Sequence, residues 1–168
     1  MKRGQVWVET VIYTLIGIAI IGIVLAVAKP KIDQKKDEIA IDQAIESLSK
    51  INEKIYAVRS AVGNRRSIEL KISSGEITFD ETEDKIIWEL KSRFEYSEEG
   101  VTIPVGNINV TTTRESGNWK VSLESGYPIE IESDIQTLAP ASIPYQLTIT
   151  NNHTDITSGK HVIIIKKE

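Results

Sequence analysis

Residues 10–28 read TVIYTLIGIAIIGIVLAVA, an apolar run with no charged side chain between Glu9 and Lys29. At a helical rise of about 1.5 Å per residue it spans roughly 28 Å, close to the hydrocarbon thickness of a bilayer. The run is rich in Ile and Val, yet lipid offers nothing to the open backbone of a strand, so a helix is expected. Lys2 and Arg3 precede it and place the N-terminus in the cytoplasm by the positive-inside rule. Lys29, Lys31, Lys35 and Lys36 on the other flank weaken that assignment without reversing the usual dominance of the first helix.

The remainder is polar and acidic. The chain's 168 residues suffice for one ordinary domain plus an appendage. A net charge of −4 with no basic stripe argues against a nucleic-acid partner, since nothing would displace counterions from phosphates. The lack of cysteine excludes a disulfide framework, a thiolate nucleophile and a zinc–thiolate site. His153 and His161 have no acid–base constellation around them, and no Gly-x-Ser-x-Gly motif accompanies the serines. The acidic run DETED, residues 80–84, lacks the glycine and ligand spacing of an EF-hand loop and reads as a solvated turn. No enzyme, cofactor or metal is expected.

Three readings of the N-terminal segment stay open at the level of residues. A secretory signal cut after Ala28 uses the small pair Ala26 and Ala28. A plain signal anchor needs only the charges and the apolar run. In both, Glu9 has no task beyond reaching for the headgroups. The third reading is a resemblance: KRGQVWVE is similar to the class III signal peptide of archaeal type IV pilins and archaellins, with Lys2, Arg3, Gly4, Gln5 and Glu9 matching in order. Trp7 departs from the small residue that this family commonly carries there. The resemblance covers about the first thirty residues, and what it implies is specific. A prepilin peptidase would remove leader 1–4 by cutting between Gly4 and Gln5. Glu9, then the fifth mature residue, would pair with the new α-amino group on Gln5 of a neighbouring subunit. A carboxylate at the centre of a membrane helix costs about 3 kcal/mol; near the edge it costs less, and a partner charge offsets it. Gly22 and Ala26 form a small-xxx-small pair that permits close helix approach.

Beyond Pro30 the pattern becomes amphipathic. Ile41, Leu48, Ile55 and Val62 recur every seven residues, with Ala44, Ile51 and Val58 three places after the first three and Ile45 widening the stripe. This predicts a helix over residues 30–63, ended by Gly63-Asn64, that packs on the chain's own C-terminal domain in preference to a homomeric coiled coil. Pro30 removes one backbone hydrogen bond and permits a kink at the crossing out of the membrane segment, residues 5–29.

From Ser67 the period falls to two. Ile68, Leu70 and Ile72 alternate with Glu69 and Lys71; Ile86, Trp88, Leu90 and Phe94 point one way; Trp119, Val121 and Leu123 follow the turn Glu115-Ser116-Gly117-Asn118. Roughly eight short strands are expected over residues 64–168, with VIIIK near the C-terminus central because it does not alternate. The fold class is therefore α+β: a long N-terminal helix, transmembrane then amphipathic, followed by an antiparallel, sandwich-like β head. Asn109-Val110-Thr111 and Asn152-His153-Thr154 are N-glycosylation acceptor patterns, which for Asn109 requires a side chain pointing outward from its strand.

The resemblance implies a structural subunit of an extracellular type IV pilus-like filament serving surface adhesion. Its expected partners are copies of itself, a prepilin peptidase, an assembly ATPase, a membrane platform protein and, before assembly, membrane lipid. The alternative is a membrane-anchored β-sandwich tether, similar to archaellum stator proteins that bind the surface layer. A periplasm-facing sensor or transporter accessory protein is a third reading.

Overall fold

The structure, a computed structural model, describes residues 2–168, with side chains described from Trp7 onward. The chain forms helix α1 (Lys2–Val58) and then ten strands, β1 (Arg65–Leu70), β2 (Glu76–Asp80), β3 (Lys85–Ser92), β4 (Thr102–Val105), β5 (Ile108–Glu115), β6 (Asn118–Gly126), β7 (Glu130–Ser133), β8 (Thr137–Leu138), β9 (Tyr145–Thr154) and β10 (His161–Lys167). This is the α+β class with a long N-terminal helix and a β head. Two compact units divide the chain, Met1–Lys36 and Asp37–Glu168, so the amphipathic stretch folds with the strands.

Within the second unit the strands form two sheets, a four-stranded one in the order β1-β9-β10-β7 and a six-stranded one in the order β4-β5-β6-β3-β2-β8. Every pairing is antiparallel except β10 with β7. The alternation in sequence becomes alternation in burial: Ile77 and Phe79 on β2, Ile86, Trp88 and Leu90 on β3, and Val121 and Leu123 on β6 are all buried. Period-2 side-chain direction makes this arrangement the only one that hides every second residue. The stripe of α1 closes the same core, with Ile41, Ala44, Leu48, Ile51, Ile55 and Val58 joining residues of both sheets in a single buried cluster. Successive steps of three and four residues keep these six positions on one helical face.

The non-alternating VIIIK strand is interior, as its pattern requires. β10 lies between β9 and β7, and a register shift between Val162 and Ile163 lets two consecutive residues be buried. The expected eight strands lack β4 and β8. β4 carries Pro104 and is tolerated because it is an edge strand, where a missing N–H breaks no ladder; β8 has only two residues.

One boundary differs from expectation. α1 ends at Val58 rather than beside Gly63, and Val62 is 53% exposed instead of closing the stripe. Sheet pairing claims the backbone first: Gly63 N–H donates to Asn151 C=O at 2.7 Å and Asn151 N–H to Asn64 C=O at 2.9 Å, prolonging the β1–β9 ladder backwards. Asn151 Nδ2 takes the Val58 carbonyl at 3.2 Å. Gly63 still supplies the left-handed turn, at φ 85°.

Candidate functional site

The first unit is one stretch of α1 with an 18-residue window of mean hydropathy 2.8, none of it buried. It is long and apolar enough to cross a membrane. No residue from 7 to 28 is buried, and only Gly17 and Ala28 are even half-covered. Trp7 and Tyr13 are 74% and 71% exposed. Around Gly22, nothing lies within 4 Å of where a Cβ would stand, so the small pair Gly22 and Ala26 is open to a neighbour. A helix apolar on every face has no favourable state in water; its surface must be covered by lipid or by other helices.

Glu9 stands exposed at the lip of this stretch, and no hydrogen bond or ion pair among the described residues engages its carboxylate. The helical backbone separates residues 5 and 9 by about one turn. The side chains of Gly4 and Gln5, the expected processing pair, lie outside the described residues.

The two sequon asparagines occupy different strands. Asn109 is exposed on β5 between the buried Ile108 and Val110, pointing outward as the acceptor reading requires. Asn152 is exposed on β9, its amide 3.1 Å from His153 Nδ1, directly after the fully buried Asn151.

The acidic run is more than a solvated turn. Asp80 Oδ1 accepts from Thr82 and Glu83 N–H at 2.9 and 3.1 Å, which folds the β2–β3 connection on itself. Glu81 and Asp84 then reach the other sheet: Oε1 of Glu81 accepts from Ser133 N–H at 2.7 Å, and Oδ1 of Asp84 from Ile131 N–H at 3.1 Å. Both amides belong to β7, the edge of the four-stranded sheet, so the turn blunts an edge that would otherwise template pairing with another chain. Lys160 Nζ meets Asp84 Oδ2 at 3.3 Å. Among the described residues no group of three or more His, Cys, Asp or Glu side chains is placed to hold a metal ion. His161 is occupied locally, with Nδ1 3.4 Å from Asn151 Nδ2 and 3.3 Å from Thr154 Oγ1.

Sequence reasoning missed the polar chain inside the head. Tyr127 donates its hydroxyl to Asn52 Oδ1, Asn52 Nδ2 donates to Ser125 Oγ at 2.7 Å, and Ser125 Oγ donates to Asn107 C=O at 3.2 Å. Burial pushes the Tyr127 hydroxyl well above its ordinary value. A polar Asn52 one place beyond the buried Ile51 of a heptad stripe was the only available signal. Arg93 was missed as well: its Nε and Nη2 hold Asp37 at 2.9 and 3.2 Å, and its N–H adds a third bond at 2.8 Å. The chain matches no protein-family model, no curated protein and no solved structure.

Proposed function

We propose that the chain is the structural subunit of an extracellular type IV pilus-like filament, inserted with its head outside and its N-terminus in the cytoplasm. It is clipped after Gly4 and polymerised through the apolar stretch of α1, and the filament serves surface adhesion. One observation carries this reading. The head already buries the amphipathic stripe of its own helix, whereas residues 7–28 leave every apolar face uncovered beside a Glu9 carboxylate that no hydrogen bond or ion pair among the described residues engages. A lone anchor needs the apolar residues but has no use for that acid.

Cutting after Gly4 creates an ammonium on Gln5, about one helical turn, or roughly 6 Å of rise, from Glu9. Parallel helices packed with an axial stagger bring Glu9 of one subunit to that ammonium on its neighbour. In a dry bundle the pair replaces two isolated charges, and removing either partner strands the other, a penalty of about 3–5 kcal/mol. The peptidase, assembly ATPase and platform protein implied by the N-terminal resemblance supply the cut and the assembly. Asn109 and Asn152 are acceptor sites for glycans on the exposed head.

The test joins intact mass with assembly. Wild-type chain should have a mature mass beginning at Gln5 and form filaments; Glu9→Gln should be cut normally yet leave monomers in the membrane. Filaments built from uncut chains, or from Glu9→Gln at wild-type yield, refute the mechanism. An uncut, filament-free chain that binds the cell surface layer would be the tether.

A further inference from the structure

We propose that Lys29, Lys31, Lys35 and Lys36 form a collar that binds anionic lipid headgroups and sets the depth at which the apolar stretch of α1 sits in the bilayer. The inference rests on the membrane-spanning reading of that stretch, and not on filament assembly.

Four lysines and a single acid, Asp33, fall within residues 29–36 of a chain whose overall charge is −4. The local surplus of positive charge therefore opposes the sign of the whole molecule. All four lysines are exposed and all lie on α1, beginning at the residue that ends the apolar run. Their angular placement identifies the partner. At 3.6 residues per turn, Lys29 and Lys36 fall within about 20° of each other around the axis, and Lys31 and Lys35 within about 40°. The two pairs lie on opposite sides, with Lys31 about 160° from Lys29.

A protein partner approaches a helix from one side and would select a stripe. A headgroup layer surrounds the helix and selects a ring. The ring also falls at the right height, because roughly 28 Å of uncharged helix precedes it, so its ammonium groups reach the phosphate level as the run leaves the hydrocarbon. Lysine stems lie along apolar surface while the charged ends stay wet, which suits this boundary. Ile32, 53% exposed among the lysines, adds an apolar contact at the same depth. Trp7 and Tyr13, both widely exposed toward the opposite end, are the residue types that mark the other interface.

The full-length protein is tested by native mass spectrometry from detergent carrying equal phosphatidylglycerol and phosphatidylcholine, beside carbonate extraction from phosphatidylcholine vesicles. Wild type should retain phosphatidylglycerol preferentially, and K29Q/K31Q/K35Q/K36Q should lose that preference. Single substitutions should weaken retention by up to roughly fivefold each, the effect expected of one basic side chain near an anionic surface. K50Q/K54Q, which removes two lysines of α1 beyond the collar, should match wild type. Equal retention of both lipids by wild type, or a preference surviving the quadruple substitution, overturns the collar. Displacement of phosphatidylglycerol by inorganic phosphate at the same concentration also overturns it, by showing a free-anion site. Failure of the wild-type chain to resist carbonate extraction would instead overturn the membrane-spanning reading beneath it.

Discussion

Two stretches of one helix meet opposite fates. Residues 10–28 are apolar on every face and none of them is buried, while the stretch containing Ile41 to Val58 is apolar along one stripe and buries six residues of it, with Ile45 half-buried beside them. The backbone is the same in both; the difference is what covers the side chains. A stripe is enough when a sheet waits on one side, and here two sheets share its buried cluster, with Leu90 and Val121 of one and Leu147 and Ile163 of the other. A helix with no stripe has no inside of its own. Lipid or other helices are the surroundings its composition fits. The comparison separates a stretch that folds with the strands from one that is long and apolar enough to cross a membrane.

The largest expected effect breaks that separation directly. Leu48→Asp places an unpaired carboxylate at a position of 0% exposure and should unfold the head, with a loss above about 4 kcal/mol. Leu48→Ala, which only opens a cavity, should cost about 2–5 kcal/mol. Ile20→Asp, the same chemistry in the bare stretch, should leave the melting temperature of the head unchanged and abolish carbonate-resistant membrane association. If Ile20→Asp destabilises the head as much as Leu48→Asp, the two stretches are one cooperative unit and the division is wrong.

A smaller effect sharpens how the second stretch is held. Asn52 is the one polar side chain of α1 that is buried among the described residues, and it ties the helix to β6 through Ser125 and to Tyr127. Tyr127→Phe keeps the ring and strands Asn52 Oδ1, so it should cost about 1–3 kcal/mol in denaturant unfolding. The double variant carrying Asn52→Leu as well should recover part of that loss, because the stranded acceptor is gone. The sign of the pH effect follows from the raised hydroxyl. The native state holds the proton more tightly than the unfolded chain, so this contribution is complete below the unfolded value of 10.0 and is lost as pH rises above it. Tyr127→Phe should flatten the alkaline limb of stability.

Much of this organisation was legible in the residues. The apolar run, the heptad stripe, the strand alternation at Ile68, Leu70 and Ile72, and the interior place of VIIIK all follow from periodicity, because burial on one face is what periodicity encodes. What was not legible depends on contacts between distant segments. The end of α1 at Val58 is set by Asn151, some ninety residues away, and no local breaker marks it. Glu81 and Asp84 look like any acidic turn until β7 is found beside them. β4 and β8 were missed because a four-residue edge strand with Pro104 and a two-residue strand carry too little pattern. At the candidate site, Glu9 stands out because it breaks the polarity of its surroundings; the partner proposed for it belongs to another molecule and cannot be read from one chain.

The smallest expected effect lies where the second stretch begins. Asp37 opens the compact unit, and Arg93, just beyond β3, holds it with three hydrogen bonds. Burial works to raise the Asp37 carboxyl, but the hydrogen bonds from the Arg93 side chain and N–H, with its positive charge, outweigh burial and keep the group below its ordinary value of 3.8. A depressed native value means that the unfolded chain binds the proton more readily. The stabilisation is therefore complete above about pH 4 and drains away as pH falls through the native value. Half of the Arg93 side chain is exposed, so screening keeps the contribution below about 1 kcal/mol. Asp37→Asn should lower stability by that amount at neutral pH, converge with wild type near pH 2, and respond to added salt. An Asp37→Asn deficit that persisted undiminished at pH 2 would mean that packing of the side chain, and not its charge, fastens the start of the buried stretch.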